Sequence, residues 1–218
     1  MPQKFEAFLF DLDGTLVDSN GIVEQVTVAW CQQNGVSYSE IKDSNHGSRS
    51  VDTVAVVAPH LDAKKAAEEI EAGEREGLAD LREIEGSRDF LSQLPQGRWG
   101  IATSSYLLTA KAKLSAASIP MPKVLVAADR VLKGKPHPEA YLKASMELGY
   151  RPEHCLVFED SETGAQSALN AGCSVLVVGN SPVTDHPRIV GRGRDFSEFQ
   201  LLVDEDGRLE IVVDSTLV

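Results

Sequence analysis

Cysteines, basic residues and long apolar runs are all scarce in this chain of 218 residues. Its three cysteines occur singly, without the spacing of a metal site, and an odd number does not suit a disulfide framework. The 21 basic residues face 33 acidic ones, and the net charge of -12 disfavours binding to DNA or RNA. No apolar run approaches bilayer-spanning length, and no hydrophobic signal segment precedes the first predicted strand. We therefore expect a cytoplasmic protein that binds neither nucleic acid nor a membrane.

A short apolar strand that runs into two acids is the most informative stretch of the sequence. Residues Phe8–Phe10 are followed by Asp11, Leu12, Asp13 and Gly14. Side chains two positions apart on a strand point the same way, so both carboxylates can face the space beyond the strand's carboxyl end. Two acids so close repel each other unless a cation lies between them or they perform different proton chemistry. Glycine then allows the backbone to turn sharply.

The sequence between residues 17 and 82 predicts a run of helices with no strand among them. This segment is far longer than an ordinary loop, so it predicts an inserted helical domain. Its three predicted helices begin at the capping residues Ser19, Ser50 and Asp62. From Ser87 onward, helices alternate with short apolar strands, which is typical of a parallel sheet with helices on its faces. We therefore predict an α/β protein with a parallel-sheet core (residues 1–16 and 83–218) and a helical insert (residues 17–82).

Two segments near the carboxyl end have simpler interpretations. Residues 200–213 predict a hairpin that turns at Asp206-Gly207 and adds to the edge of the sheet. Gly191–Arg194 is a small basic spot, which indicates a solvated loop. Neither segment suggests a function.

Polar residues follow three of the predicted strands, at the edge where parallel sheets bind their ligands. They are Asp11 and Asp13, Thr103 and Ser104, and Glu159 and Asp160. Lys135 adds to this set from a loop that contains glycine and proline and precedes a helix. Each alone has a structural interpretation: a turn, a helix cap, a solvated lysine, or acids near a helix N-terminus. Their order at successive strand ends favours a phosphate-transfer site instead.

This set contains the parts that phosphoryl transfer needs. Asp11 can attack phosphorus and form an aspartyl phosphate, which splits one difficult step into two. Asp13 can protonate the leaving oxygen and later take a proton from the attacking water. Thr103 and the backbone amide of Ser104 can hold phosphoryl oxygens, and Lys135 can pair with the phosphate and with Asp11.

The acids of the set also predict a metal site. Asp160, with Glu159 beside it, joins Asp11 and Asp13 in a group of oxygen ligands. Mg²⁺ binds through one or two carboxylates plus phosphate and keeps several waters, so it suits this group. We therefore expect Mg²⁺ as the cofactor.

The ordered set resembles the haloacid dehalogenase superfamily of phosphohydrolases along nearly the whole chain. The four motifs of that superfamily match Asp11–Thr15, Thr103, Lys135 and Glu159–Asp160. The resemblance implies a Rossmann-like core, with a helical cap inserted just after the first motif. It also implies Asp11 as nucleophile, Asp13 as acid and base, and Mg²⁺ held by Asp11, Asp160 and the backbone carbonyl of Asp13.

Within that superfamily, the chain looks like the small sugar-phosphate and polyol-phosphate phosphatases, a branch that includes glycerol-3-phosphatases and 2-deoxyglucose-6-phosphatases. His46-Gly47-Ser48-Arg49 resembles the cap loop of this branch. We therefore place His46, Gly47 and Arg49 at the substrate, together with Ser104 and Lys135. Solvated loop residues are an equally good interpretation of His46 and Arg49.

Two alternatives to a phosphatase remain. The resemblance extends to the β-phosphoglucomutases, which have a histidine early in the first cap helix where this chain has Val23. A noncatalytic binding protein is the other alternative, although a scaffold has no use for a costly cluster of like charges. We therefore expect a Mg²⁺-dependent phosphomonoesterase acting on a small sugar or polyol phosphate. A single chain with its own cap can close its own site, so a monomer is expected.

Overall fold

A computed structural model describes residues 3–45 and 47–213 of the chain. Its strands are β1 (Lys4–Phe5), β2 (Ala7–Phe10), β3 (Trp99–Ala102), β4 (Leu125–Val126), β5 (Cys155–Glu159), β6 (Ser174–Val178), β7 (Ile189–Gly193), β8 (Phe199–Val203) and β9 (Leu209–Val213). Its helices are α1 (Asn20–Asn34), α2 (Tyr38–Asn45), α3 (Ser50–Val57), α4 (Ala63–Glu76), α5 (Ser87–Ser92), α6 (Leu107–Ala116), α7 (Glu139–Leu148) and α8 (Glu162–Ala171). Within the described ranges, none of the helices combines the length and apolarity needed to cross a membrane.

Six parallel strands form the main sheet, in the spatial order β4-β3-β2-β5-β6-β7. Strands β2, β5 and β6 are buried along their whole length, as expected for apolar strands covered by helices on both faces. The predicted α/β fold with a Rossmann-like parallel sheet is therefore confirmed. Since β2 lies between β3 and β5, the residues that follow these three strands emerge side by side at one edge.

The two faces of the main sheet are packed differently. Phenylalanines dominate one face, where the rings of Phe10 and Phe158 stack with centroids 4.7 Å apart and Phe90 of α5 packs against both. The other face packs Leu9 against the helices α7 and α8, with Tyr141 fully buried. Both cores hold the strand ends rigidly, which is the condition for a precise site at the sheet edge.

Helices α1–α4, which we call the cap, lie between β2 and α5 in the sequence. They pack around a hydrophobic core of their own. Its buried residues are Trp30, Cys31, Ile41, Val54, Ala58, Ala66 and Ile70. The sequence predicted three helices here, and α2 is a fourth that it missed, because α2 is mostly polar, although Ile41 is buried in this core. The exact division of core and cap at residues 16 and 82 stays a prediction.

Of the three predicted capping residues, only Asp62 makes a side-chain capping hydrogen bond in the structure. Asp62 does cap α4, since its Oδ1 accepts hydrogen bonds from the backbone N–H groups of Lys64 and Lys65. Ser50 lies inside α3, whose cap position is Arg49. Ser19 occupies the cap position of α1 without a side-chain capping bond. The Ser19 hydroxyl is used elsewhere, in the site described below.

The carboxyl-terminal segment departs from two predictions. The hairpin β8–β9 forms, but it pairs with β1 in a separate antiparallel sheet of order β1-β9-β8, so its predicted place at the edge of the main sheet is wrong. That edge is β7, which includes most of the segment predicted as a solvated loop. A Cβ at Gly193 would lie 2.3 Å from the Phe199 ring, and one at Gly191 would lie 2.9 Å from Val213. The glycines therefore mark close packing of β7 against the hairpin.

Candidate active site

The turn after β2 places a carboxylate at the carboxyl edge of the sheet. Asp11 is 6% exposed, and its backbone N–H donates to the carbonyl oxygen of Phe158 in β5 at 3.0 Å. Gly14 has a φ of +79°, and a Cβ at this position would lie 2.1 Å from Oδ2 of Asp160. The turn therefore requires glycine both for its backbone conformation and for the close approach of Asp160.

A buried lysine joins Asp11 to the acid that ends β5. Lys135 Nζ donates to Asp11 Oδ1 at 2.5 Å and to Glu159 Oε1 at 2.7 Å. Burial raises the pKa of Asp11 well above its usual range, and Glu159 and Asp160 add to the rise while Lys135 opposes it. Burial lowers the pKa of Lys135, but Asp11 and Glu159 outweigh it and the net direction is upward. The lysine is therefore a fixed positive charge beside Asp11.

Three acids at this edge form a group that fits a hard metal ion. Carboxylate oxygens of Asp11, Glu159 and Asp160 all lie within 4.8 Å of one another, and oxygen donors are what Mg²⁺ and Ca²⁺ prefer. Glu159 differs from the other two because it is fully buried and short hydrogen bonds occupy both of its oxygens, whereas the donors to the two Asp160 oxygens, Thr15 and Asn20, lie at 3.4 and 3.5 Å. Tyr141 and Lys135 donate to Oε1, and the Ser161 backbone and hydroxyl donate to Oε2. Asp11 and Asp160 are thus the better metal-facing pair, and direct ligation by Glu159 stays a prediction.

The Asp13 carboxylate is held by donors of its own, separate from those of Asp11. Ser19 Oγ and Lys113 Nζ each donate to Oδ1 at 2.5 Å, and Ser105 Oγ donates to Oδ2 at 2.8 Å. Burial raises the pKa of Asp13, but Lys113, Ser19 and Ser105 outweigh it, so the net direction is downward. The structure therefore pushes the pKa values of Asp11 and Asp13 in opposite directions, so the two neighbouring carboxyl groups have different electrostatic environments.

The residues after β3 face the cap. Thr103 is 2% exposed, and its Oγ1 accepts a hydrogen bond from the Ser105 backbone at 3.1 Å. Ser104 Oγ donates to the carbonyl oxygen of Gly47 at 2.8 Å, so the structure brings these two predicted substrate residues together. A Cβ at Gly47 would lie 2.4 Å from Ser161 Oγ, which explains why glycine is needed where the cap loop meets the core.

Arg49 is buried, and its guanidinium contacts Asp52 of α3 and the core but does not line the cavity. Nε and one terminal nitrogen donate to Asp52 at 2.6 and 2.8 Å. The terminal nitrogens also donate to the backbone carbonyls of Ala128, Val131 and Leu132. Arg49 therefore clamps the cap onto the loop after β4, and its contact with substrate stays a prediction. His46, the other predicted cap residue, lies outside the described residues.

A cavity of about 380 Å³ separates the cap from the sheet edge. Its core side carries Asp11, Asp13, Ser104, Ser105 and Lys113, and its cap side carries Asn20, Val23, Glu24, Tyr38, Lys42, Gly47, Ser48, Ser50, Glu71 and Glu74. The cap wall is thus mostly polar, with hydroxyl, ammonium and carboxylate groups. Such a lining can hydrogen-bond a compact ligand with many hydroxyl groups.

A family model for haloacid dehalogenase-like hydrolases matches residues 5–172. The chain belongs to this family. It is 40% identical to Hexitol phosphatase A of Escherichia coli (strain K12) over 194 residues, which cover 85% of this chain and 88% of the relative. It is 30% identical to Glycerol-1-phosphate phosphohydrolase 2 of Saccharomyces cerevisiae, with 79% of this chain and 74% of the relative covered. The crystal structure of a HAD hydrolase, family IA, variant 3, from Entamoeba histolytica superimposes with a TM-score of 0.76 at 27% identity, covering 89% of this chain and 95% of that one.

The sequence motifs of this haloacid dehalogenase-like hydrolase did not reveal Lys113. That side chain is fully buried, and it donates to Glu74 Oε2 at 2.6 Å in addition to Asp13. One signal was available, because Ala110 and Leu114 lie three residues before and one after it and form the apolar face of α6. A lysine on the apolar face of a helix needs buried acceptors. The sequence alone does not identify the acids that accept the hydrogen bonds of Lys113.

Proposed function

We propose that this hydrolase is a Mg²⁺-dependent phosphomonoesterase that acts on a small sugar or polyol phosphate through an aspartyl-phosphate intermediate. The observation that carries the proposal is the pair of neighbouring carboxylates with separate cationic partners, Lys135 at Asp11 and Lys113 at Asp13. The two curated relatives described above are named for phosphatase activity on hexitol and glycerol phosphates, which supports this substrate class.

In the first half of the reaction, Asp11 is the nucleophile. A carboxylate oxygen of Asp11 forms a bond to phosphorus while the ester oxygen leaves and takes a proton from Asp13. Thr103 and the amide of Ser104 hold phosphoryl oxygens, and Lys135 offsets negative charge as it accumulates. The products of this half are the free alcohol and the phosphorylated Asp11.

In the second half, Asp13 acts as the base. It now carries a negative charge, and it takes a proton from the water that attacks phosphorus, which releases phosphate and restores Asp11. The downward pKa of Asp13 favours the ionised form that this half requires. Lys113, Ser19 and Ser105 supply that preference through their hydrogen bonds.

Asp11 and Asp160, with the backbone carbonyl of Asp13, would hold the Mg²⁺ ion. When bound, the ion supplies positive charge that keeps Asp11 ionised in spite of its burial and neutralises the phosphate. Lys135 and Glu159 hold Asp11 in place at the ion. A magnesium cofactor, and not another divalent ion, is part of the proposal.

The cavity supports a substrate of one sugar or polyol unit. Its volume of about 380 Å³ lies near the lower end of the range for small-molecule sites. Cap and core of one chain enclose it, which supports a monomer, and a cytoplasmic location remains a prediction. The two alternatives are not favoured, because the relatives are phosphatases and the cap residue Val23 offers the cavity no acid or base.

The proposal is tested by measuring phosphate release from a panel of sugar, polyol and nucleotide monophosphates with Mg²⁺, with EDTA, and with Ca²⁺. We expect release from sugar or polyol phosphates in Mg²⁺ alone. Asp11→Asn should abolish it while the fold is retained, and Asp18→Asn, which changes an exposed aspartate seven residues later, should not. Wild-type rates in the Asp11→Asn protein would show that the nucleophile is wrong.

A further inference from the structure

Lys113 is a buried cation that touches both the cap and the core beside the proposed acid. Its ammonium has three acceptors: Asp13 Oδ1 at 2.5 Å, Glu74 Oε2 at 2.6 Å and Ser105 Oγ at 3.0 Å. An ammonium group has three N–H donors, so this set uses all of them. The direction of the Nζ group is therefore determined by its surroundings.

The acceptors of Lys113 come from different parts of the chain. Asp13 belongs to the turn after β2, and Ser105 lies between β3 and α6. Glu74 lies on α4, a helix of the cap. Lys113 is therefore held at Asp13 from both sides, by the core and by the cap.

The contact at Glu74 is part of a longer seam between α4 and α6. Glu71 Oε1 accepts from the Tyr106 backbone N–H at 3.1 Å. Arg75 donates to Thr109 Oγ1 at 2.7 Å. Positions 71, 74 and 75 lie on one face of α4, as expected for residues three and four apart on a helix. The seam thus keeps Glu74 in register with Lys113.

We propose that Lys113 is a positioning residue for the acid and base Asp13, and that Glu74 makes this positioning depend on the cap lying against the core. Lys113 fixes the carboxylate oxygen that faces it and stabilises the negative charge that Asp13 gains when its proton passes to the leaving oxygen. When α4 moves away from α6, the ammonium loses one of its anchors. This inference rests on the proposed function, because it assigns Lys113 to the same reaction.

The role can be tested through the leaving group. An alkyl phosphate such as glycerol 1-phosphate releases an alcohol that needs a proton, whereas p-nitrophenyl phosphate releases a stable anion that does not. The ratio kcat/KM reports the steps up to departure of the alcohol. A misplaced Asp13 therefore slows the alkyl phosphate selectively. A general loss of folded or active enzyme lowers both substrates by the same factor.

The variant Lys113→Met is compared with Asp13→Asn and with Lys111→Met, which changes an exposed lysine on the same helix. We expect Lys113→Met to lower kcat/KM about 100-fold on glycerol 1-phosphate and less than about 10-fold on p-nitrophenyl phosphate, the pattern of Asp13→Asn. Lys111→Met should match the wild type on both. Equal losses on the two substrates, or no loss, would overturn the proposal.

A second variant tests the same role in case Lys113→Met does not fold. The double change Lys113→Met with Glu74→Met removes both members of the buried pair, so no cap carboxylate is left without its cation. It should show the same selective loss on glycerol 1-phosphate, and a uniform loss refutes the role. Glu74→Gln keeps an acceptor and should show a smaller loss of the same kind. A wild type inactive on both substrates would refute the proposed function itself, and the Lys113 role with it.

Discussion

Glu71 should make the stability of the protein depend on pH. Its side chain is 2% exposed, and among the described residues Oε2 has no hydrogen-bond partner. Burial and the neighbouring Glu74 raise its pKa from 4.5 to about 7, although Thr109, Lys113 and Tyr106 oppose the rise. In the folded protein this carboxyl group therefore holds its proton across a range in which the unfolded chain has lost it.

The sign and size of the effect follow from these two pKa values. Well below pH 4.5 the group is protonated in both states and costs nothing. As the pH rises from 4.5 to about 7, the unfolded chain loses this proton while the folded state keeps it, so the stability falls, and above about 7 the loss is constant. The full rise in pKa corresponds to about 3 kcal/mol, of which about 2.5 kcal/mol develops between pH 5 and pH 8. Glu71→Gln keeps the size of the side chain and an acceptor for Tyr106, and it removes the titration.

The assay is urea unfolding of the wild type and Glu71→Gln, followed by circular dichroism at pH 5, 6, 7 and 8. Titrations of groups that do not interact with Glu71 cancel in the difference between the two proteins. We expect the variant to gain about 2.5 kcal/mol relative to the wild type between pH 5 and pH 8. Glu68→Gln, at an exposed position on the same helix, should show no such gain. A difference that stays constant with pH would refute the reasoning.

Three further predictions concern the site. Gly14→Ala forces a Cβ against Asp160 at a φ of +79°, so it should destabilise by about 1–3 kcal/mol and raise the Mg²⁺ concentration needed for half-maximal phosphate release. Lys135→Met leaves Asp11 and Glu159 without their cation, so it should cost about 3–5 kcal/mol in urea unfolding without metal and abolish phosphate release. Arg49→Met removes the clamp on the core, so it should cost about 1–3 kcal/mol and raise KM more than it lowers kcat. An unchanged urea-unfolding midpoint would contradict the predictions for Lys135→Met and Arg49→Met. An unchanged Mg²⁺ requirement would contradict the prediction for Gly14→Ala.

The sequence predicted that Asp11, Thr103 and Asp160 lie at one edge of the sheet because each of them directly follows an apolar strand. Asp11, Thr103 and Asp160 each lie within two residues of a strand end, and strand order then determines their proximity. For these three residues, the local pattern of an apolar strand followed by a polar side chain is enough to predict their position in the fold. The catalytic roles of these residues do not follow from their positions alone, and they remain proposals.

Contacts between distant helices could not be predicted in the same way. Lys113 meets Glu74 only because α6 packs under the cap helix α4, and no spacing in the sequence specifies that contact. Ser19 looked like a helix cap, since its short polar side chain precedes an amphipathic segment, yet its hydroxyl donates to Asp13. Arg49 was predicted at the substrate because the loop around it fitted a known pattern, but that pattern could not predict its observed contacts with Asp52 and with backbone carbonyls of the core.

The central place of β2 in the sheet has a consequence for biosynthesis. Its residues Ala7–Phe10 pair with Trp99–Ala102 and with Cys155–Glu159, which are synthesised roughly 90 and 150 residues later. Until then the nascent chain carries an unpaired, wholly apolar strand, which is the kind of segment that chaperones protect from aggregation. The helices between can fold meanwhile through local contacts. We therefore expect Asp11 and Asp13 to reach their native surroundings only after β5 has been synthesised.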